Sequence, residues 1–331
     1  MPGPAISLSA QNRISVALCT YNGERFLLGQ LASIAQQTRL PDELVVCDDR
    51  STDRTVALVR EFAASAPFPV RIFENEHNLG FAANFERAIR LCEGTLIALS
   101  DQDDIWYPIR LERSEQEFAA HPQAGLVFSD ADVINDSNES AGPTLWQRLG
   151  FAGKRAHDLL AGHFVVLAKH RFVTGATMMF RAGLRDRFLP IPGGWIHDEW
   201  IALIAAAFSD LRPIDQPLIR YRIHDSQQVG LRNKLEQRTQ GNSPALRHWG
   251  RLAESVKELQ QLSDTLSAMV PDKRPVLSAY QEHLRFLSFR AGLPIVRLAR
   301  LGPILKQYSQ YQVHASGSAS ALKDLVLKRK R

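Results

Sequence analysis

Between residues 14 and 132, short apolar runs alternate with segments whose apolar residues recur three or four positions apart. This alternation limits the fold more than any single motif does. Ile14–Cys19, Leu44–Cys47, Val70–Phe73, Thr95–Leu99 and Leu126–Ser129 read as buried strands. Between them Leu27, Leu31 and Ile34, then Val56, Val59 and Phe62, then Phe81, Phe85, Ala88, Ile89 and Cys92 fall at helical spacing. Asp53 stands where it can cap the second helix, and Pro108 opens another that runs to about Ala120. The pattern predicts βαβ units: an α/β fold with a mainly parallel sheet flanked by helices. Ligands of such sheets bind beyond the carboxyl ends of the strands.

Those ends are polar here: Thr20 and Asn22, Asp48 and Asp49, Asp101 and Asp103, Asp130 and Asp132. The densest is Leu99-Ser100-Asp101-Gln102-Asp103-Asp104-Ile105-Trp106. Carboxylates this close repel one another unless a cation or donor groups neutralise them. Aspartates at i and i+2 can reach one ion together, and oxygen ligands suit Mg2+ or Mn2+ held jointly with a substrate's phosphates. The plainer role is an acidic turn ahead of the helix at Pro108, which is what a lone Asp-x-Asp usually is. No G-x-G-x-x-G follows the first strand and no phosphate-loop motif is present, so a dinucleotide-binding reading fails.

Residues 136–170 read as a less regular connection. Phe172–Phe180 reads as a strand, with Gly175 where something approaches the backbone closely. A loop through Gly193, Gly194 and Trp195 precedes an apolar helix, Ile201–Phe208, with Asp198 and Glu199 in its first turn. There the helix dipole favours anions, so helix capping is their plainer role. Leu218–Ile223 is a last strand, ended by His224. From about Ser243 the chain turns helical, basic and amphipathic, which divides it into residues 1–235 and 236–331. In the second part Leu284, Leu287, Ile295, Leu298, Leu301 and Ile304 form an apolar stripe flanked by arginines and interrupted by Pro294 and Pro303.

The 331 residues are 45% hydrophobic and 23% charged, enough for a sizeable core. Cys19, Cys47 and Cys92 lie far apart in apolar patterns and read as buried free thiols of a reducing compartment. Met1–Asn12 has no basic region followed by an apolar core, so no secretory leader is expected. The longest nearly apolar run, Trp200–Phe208, is about half of what spans a bilayer. The net charge of +5 gathers in a basic tail, Lys323 and Lys328–Arg331. No nucleic-acid motif accompanies it, so anionic lipid headgroups and a solvated helix face are the readings kept, with no nucleic-acid partner.

Seven segments, in order across residues 14 to about 230, resemble the family 2 glycosyltransferases of the GT-A fold, within them the rhamnosyltransferase-like enzymes of bacterial surface-polysaccharide synthesis. The segments are Cys19–Gly23, Val46–Asp53, Asn78–Phe81, Leu99–Trp106, Thr174-Gly175, His197–Trp200 and Tyr221–His224. Tyr308–Tyr311 and Ala321–Leu325 resemble the tail of the same subgroup. One departure is Arg50, where the family usually has glycine after the paired aspartates; arginine takes a positive φ less readily.

The resemblance implies an inverting, metal-dependent transferase using a nucleotide sugar, with dTDP-L-rhamnose the best match. Thr20, Tyr21, Asp48 and Asp49 would hold the base and ribose, with Asn22, Asn78 and Asp101 in the same nucleotide-sugar site. Asp103, Asp101 and His224 would hold Mg2+ or Mn2+. Asp198 would be the catalytic base, with Glu199 as runner-up. Trp195, Trp200, Glu199 and Gly175 would border the sugar or acceptor. The acceptor would be a glycan or a polyprenyl-diphosphate-linked sugar. The enzyme would be cytoplasmic, peripheral on the inner face of the plasma membrane through its C-terminal region, with a helical pack covering the enzyme domain or a homodimer contact as the other uses of that region. Two alternatives stay open: a catalytically silent binding or assembly protein of the same fold, and a transferase using a UDP- or GDP-sugar. A sugar nucleotidyltransferase would need a Gly-rich basic loop after the first strand, which Thr20–Arg25 is not.

Overall fold

A computed structural model describes residues 12–151, 159, 167, 172–225, 227, 244–269 and 275–329. The described strands are β1 (Ile14–Thr20), β2 (Glu43–Asp48), β3 (Val70–Glu74), β4 (Leu96–Ser100), β5 (Ile105–Trp106), β6 (Ala124–Ile134), β7 (Met178–Arg181) and β8 (Asp210–Arg222). They form one sheet in the order β3-β2-β1-β4-β7-β6-β8-β5. β3, β2, β1 and β4 run parallel. β7 is antiparallel to both β4 and β6, β6 and β8 are parallel, and β5 closes the far edge antiparallel to β8. Helices α1 (Leu27–Ala35), α2 (Thr55–Ala63), α3 (Phe81–Leu91) and α4 (Arg110–Ala120) alternate with the strands as the spacing predicts. Every residue of β1, β2 and β4 is buried, the pattern of strands covered on both faces. The three cysteines are buried and free.

Three expectations change, the first being the last strand, read as Leu218–Ile223, which begins already at Asp210 and ends at Arg222. The strand read as Leu126–Ser129 continues to Ile134, so Asp130 and Asp132 lie inside β6 and not at a strand end. Register shifts on either side of Asp130 make room for it. Its Oδ1 accepts from the amides of Trp146 and Ala131, while Asp132 Oδ2 accepts from the Tyr107 hydroxyl at 2.6 Å. Both carboxylates thus satisfy local donors. The strand read as Phe172–Phe180 begins only at Met178, because Gly175–Thr177 form a 3-10 turn. In the connection after β6, α5 (Leu145–Leu149) is capped by Thr144 and Gln147. Most of 152–171 falls outside the described residues. After β7 come α6 (Arg185–Phe188) and α7 (His197–Phe208), which is buried on nearly every side and therefore belongs to the core.

The chain divides into two units. The first holds the described residues up to Gly150 and from Val173 to His224; the second holds Phe151, Phe172 and those from Asp225 onward. The expected boundary at residue 235 lies outside the described residues. In the second unit α8 (Pro244–Met269) packs along α9 (Pro275–Ala291). Leu252, Leu259, Leu262 and Leu266 face inward from α8, and Leu277, Tyr280, Leu284 and Leu287 from α9. These spacings give each helix one apolar stripe. Three short helices follow: α10 (Leu301–Lys306), α11 (Tyr308–His314) and α12 (Ser318–Val326).

The second unit is centred on Asp324, whose side chain is fully buried. It accepts from Arg290 Nε and Nη2 at 2.6 and 3.0 Å and from the Tyr311 hydroxyl at 2.6 Å, and it pairs with His248 Nε2 at 2.6 Å. Burial pushes its carboxyl up, but the bonds from His248, Arg290 and Tyr311 outweigh that and bring it down to about 2. An unfolded aspartate titrates near 3.9, so this contribution to stability is present above about pH 4 and lost as pH falls towards 2. Asp324→Asn should therefore cost about 3 kcal/mol or more at pH 7, by leaving Arg290 buried without its partner. It should also remove part of the loss of stability between pH 4 and 2. Denaturant melts followed by circular dichroism check both, and a variant as stable as the wild type at pH 7 would contradict the assignment.

Candidate active site

The carboxyl ends of β1, β2 and β4 reach the same edge of the sheet, with Thr20 beside Asp48 and Ser100 beside Leu18. Side chains tie the turns that follow. Thr20 Oγ1 donates to Asp48 Oδ2 at 2.8 Å, and the same carboxylate accepts from the Ser51 amide and hydroxyl. Asn22, at φ +47°, donates its amide to Ser51 Oγ and accepts from the Thr52 amide. Asp49 accepts from the amides of Leu79 and Gly80 and from Asn75 Nδ2, which seats the loop leading into α3. Thr20, Asp48 and Asp49 are buried, whereas Asn22 and Asn78 are exposed and Tyr21 is half-buried. The first three hold the rim in shape; the other three face outward from it. Arg50 takes φ +69°, the left-handed region that a glycine would occupy more readily, and its guanidinium donates to the Glu76 carbonyl at 2.9 Å.

The acidic turn after β4 is locked from two sides. Gln102 reads the backbone of Tyr21 with both ends of its amide: Oε1 accepts from the Tyr21 N–H at 2.8 Å and Nε2 donates to the Tyr21 carbonyl at 3.0 Å. A Cβ on Gly23 would lie 2.2 Å from that Oε1, so glycine is what lets the amide in. On the other side Arg222, at the end of β8, donates its amide to Asp104 Oδ1 at 2.9 Å and its Nε to the Asp103 carbonyl at 2.6 Å. Its remaining nitrogens reach the Asn135 carbonyl and Asn138 Oδ1. Two residues further, His224 Nε2 meets Asp103 Oδ2 at 2.8 Å.

Burial pushes the Asp101 carboxyl up to about 8; Asp103 and Asp198 add to the rise and Arg110 opposes it. Burial, then Asp103 and Asp101, push Asp104 well above the usual range, and its Oδ2 has no hydrogen-bond partner. Arg110 lies beneath, 1% exposed, its guanidinium 3.5 Å from the centre of the Trp106 ring and donating to the Leu99 carbonyl. Burial lowers even this guanidinium, to about 9, against the pull of Asp104 and Asp101.

Asp198 lies in the first turn of α7 with both oxygens engaged. Oδ1 accepts from the Glu199 amide at 2.7 Å and Oδ2 from the Gly175 amide at 3.1 Å. What approaches Gly175 is this first turn: a Cβ there would lie 2.8 Å from His197 Nε2 and 3.4 Å from Asp198 Cβ. His197 stacks on Phe85 with ring centres 4.1 Å apart, and burial pushes its imidazole down against the opposing pull of Asp198. Glu199 is buried. Trp200 is turned into the core, its indole N–H donating to the Phe188 carbonyl at 2.7 Å. Its ring packs 5.4 Å from that of Trp195, which is only half-buried, so Trp200 supports Trp195 from behind.

The donor set fits a divalent cation. Among the described residues no three acidic, histidine or cysteine side chains already converge on one point. Magnesium and manganese, however, bind through one or two carboxylates with water and substrate phosphate completing the shell. Asp103 and His224 meet at the mouth of a cluster whose buried carboxyls are pushed towards their neutral forms, which is where added positive charge is most stabilising. His224 thus meets Asp103 directly, and Asp103 and Asp198 both lie near enough to Asp101 to raise its carboxyl. Gln102, Asp104, Arg110 and Arg222 are the residues the sequence reading missed. Gln102, Asp104 and Arg222 lie inside segments already singled out; Arg110, on a helix, carries no signal to tell it from a solvated arginine.

The fold agrees with the comparisons. The family model described as glycosyl transferase family 2 matches residues 15–185, and the chain belongs to that family. It is 37% identical over 124 residues to the dTDP-rhamnosyl transferase RfbG of Shigella flexneri, covering 36% of this chain and 40% of that one. It is 30% identical over 125 residues to the Escherichia coli enzyme WfgD, named UDP-Glc:alpha-D-GlcNAc-diphosphoundecaprenol beta-1,3-glucosyltransferase, covering 38% and 48%. The first curated relatives are matched over only 40% to 45% of their own length. Among solved structures, S. aureus TarS in complex with UDP-GlcNAc matches with a TM-score of 0.57 at 15% identity, over 95% of this chain and 81% of that one. This last likeness is one of fold.

Gln102→Leu should cost about 1–3 kcal/mol by leaving the Tyr21 amide and carbonyl without partners. The Tyr21 amide should then exchange with solvent faster than in the wild type. Hydrogen exchange checks this; unchanged protection at Tyr21 would show that the loop holds itself.

Proposed function

We propose that the protein is an inverting glycosyltransferase that moves a sugar from a nucleotide donor to a glycan or polyprenyl-diphosphate-linked acceptor in the synthesis of a surface polysaccharide, at the cytoplasmic face of the membrane. The observation that carries the reading is the contact of His224 with Asp103 in the turn after β4, beside an Asp101 whose carboxyl both Asp103 and Asp198 push up, in a chain of this family. Tyr21, Asn22 and Asn78 border the nucleotide on a rim shaped by Thr20, Asp48 and Asp49. Asp103 and His224, with Asp101 beside them, would hold Mg2+ or Mn2+, which when bound would supply positive charge to the leaving diphosphate.

Asp198 acts as the base. An acceptor hydroxyl has a pKa far above 7 and needs a carboxylate to take its proton in the transition state. As the acceptor oxygen attacks the anomeric carbon from the face opposite the diphosphate, the carbon–oxygen bond to the diphosphate breaks and the proton passes to an Asp198 oxygen. The configuration inverts in this single displacement. The Glu199 and Gly175 amides fix the rotamer of that carboxylate. Trp195, backed by Trp200, floors the sugar or acceptor, and Glu199 borders it.

For the donor we propose dTDP-L-rhamnose, supported by the rhamnosyltransferase-like segments and the likeness to RfbG. The likeness to WfgD favours a UDP-sugar as the second reading, and its name supports a lipid-linked acceptor. A screen of nucleotide sugars with Mg2+ or Mn2+, scoring nucleotide release, should single out one donor. Asp198→Asn should abolish transfer, by about a hundredfold or more, with donor binding largely kept. No release from any donor, with nucleotide bound, would favour the silent binding protein; near-wild-type turnover in Asp198→Asn would remove Asp198 from its role.

A further inference from the structure

The apolar stripe of the C-terminal region does not behave as one surface. Leu284, Leu287 and Ile304 are buried, but Ile295, Leu298 and Leu301 are exposed. The reason is the break after α9, where the Gly292 amide closes on the Ser288 carbonyl and Pro294 ends the helix. Pro294 to Ala299 are then six consecutive exposed residues, Pro-Ile-Val-Arg-Leu-Ala. Leu298 is 86% exposed, Val296 66% and Leu305 63%. Leu298, Leu301 and Leu305 stand three and four positions apart across the 3-10 turn and α10, so they share one side, while Arg300 and Ile304 point inward.

This ridge is held rigidly from behind. The buried Arg300 donates to the carbonyls of Pro294 and Ile295 on one side and of Asp324 and Leu327 on the other. Four nearby carbonyl groups are thereby organised while Val296, Leu298 and Leu305 stay exposed. The charge around it has one sign. From His283 to the end of the chain there are ten lysines and arginines and one acid, and that acid is the buried Asp324. Arg297 and Lys306 are exposed at the ridge itself, and Lys323 and Lys328 on the segment that Arg300 ties to it.

We infer that this ridge is a membrane-docking surface: Val296, Leu298 and Leu305 enter the headgroup region of an anionic bilayer while Arg297, Lys306, Lys323 and Lys328 meet its phosphates. Exposed aliphatic side chains flanked by exposed cations, in a stretch with no exposed acid from His283 onward, match the chemistry of such a surface. A second copy of the chain would set the same cations against one another. No described helix is long and apolar enough to cross a membrane, so contact at this ridge is peripheral. The inference does not depend on which donor the site takes.

The test is sedimentation of the full chain with vesicles of phosphatidylcholine mixed with phosphatidylglycerol, and with phosphatidylcholine alone, at about 0.1 M salt. The wild type should partition onto the anionic vesicles and far less onto the neutral ones. The Leu298→Ser/Leu305→Ser variant should lose at least about tenfold in partitioning at an unchanged melting temperature, since both side chains are already exposed. The Leu298→Trp variant should show blue-shifted emission when anionic vesicles are added. A wild type that stays in the supernatant, a serine variant that binds equally well, or a serine variant that turns a dimer into monomers would each overturn the inference.

Discussion

Crowded carboxylates at the end of β4 are the constraint on which the rest of the first unit depends. Asp101, Asp103 and Asp104 cannot all be charged, close together and buried unless the fold arranges compensation. Arg222 supplies it from the end of β8, His224 from two residues further, and Arg110 from below. Gln102 fastens the same turn to the loop after β1. The compensation stays incomplete: Asp101 and Asp104 are pushed towards their neutral forms and Asp104 keeps an unpartnered oxygen. That residual electrostatic demand supports the proposed cation and diphosphate at this turn, whereas Asp130 and Asp132 have oxygens engaged by local donors.

The sheet explains why one edge gathers so many functional side chains. Parallel β1, β2 and β4 bring Thr20, Asp48 and Asp101 to one level, and α7 brings Asp198 near enough to Asp101 to raise its carboxyl further. The glycines at 23 and 175 act by absence. At Gly23 the missing Cβ admits Gln102, and at Gly175 it admits the first turn of α7. Both contacts set the position of an aspartate from a distance in sequence.

Much of this was legible from the chain. The alternation of apolar runs located β1 to β4 and α1 to α4, because strands buried on both faces are written as continuous apolar stretches. Asp101, Asp103, Asp198 and His224 stood out because their segments lie at strand or helix ends. What stayed hidden was decided by pairing over long distances. β6 runs through Asp130 and Asp132 because irregular pairing with β8 and the donors of Tyr107 and Trp146 accommodate them. In the stripe from Leu284 to Ile304 the chain turns at Pro294, leaving Ile295, Leu298 and Leu301 exposed between the buried Leu284 and Leu287 and the buried Ile304. Asp324 lies in a segment that resembled the family's tail, but its role at the centre of the second unit appears only once Arg290, Tyr311 and His248 are folded around it.

Calorimetric titration of the wild type and Asp103→Ala with UDP, GDP and dTDP, each with and without Mn2+, tests the central claim most directly. The account predicts that one nucleoside diphosphate binds in the presence of the ion, and that binding weakens at least about tenfold when the ion is omitted or Asp103 is replaced, since the carboxylate and cation act together on the diphosphate. Binding of the same strength without the ion and in Asp103→Ala would contradict it and place the nucleotide, if it binds at all, away from the turn after β4.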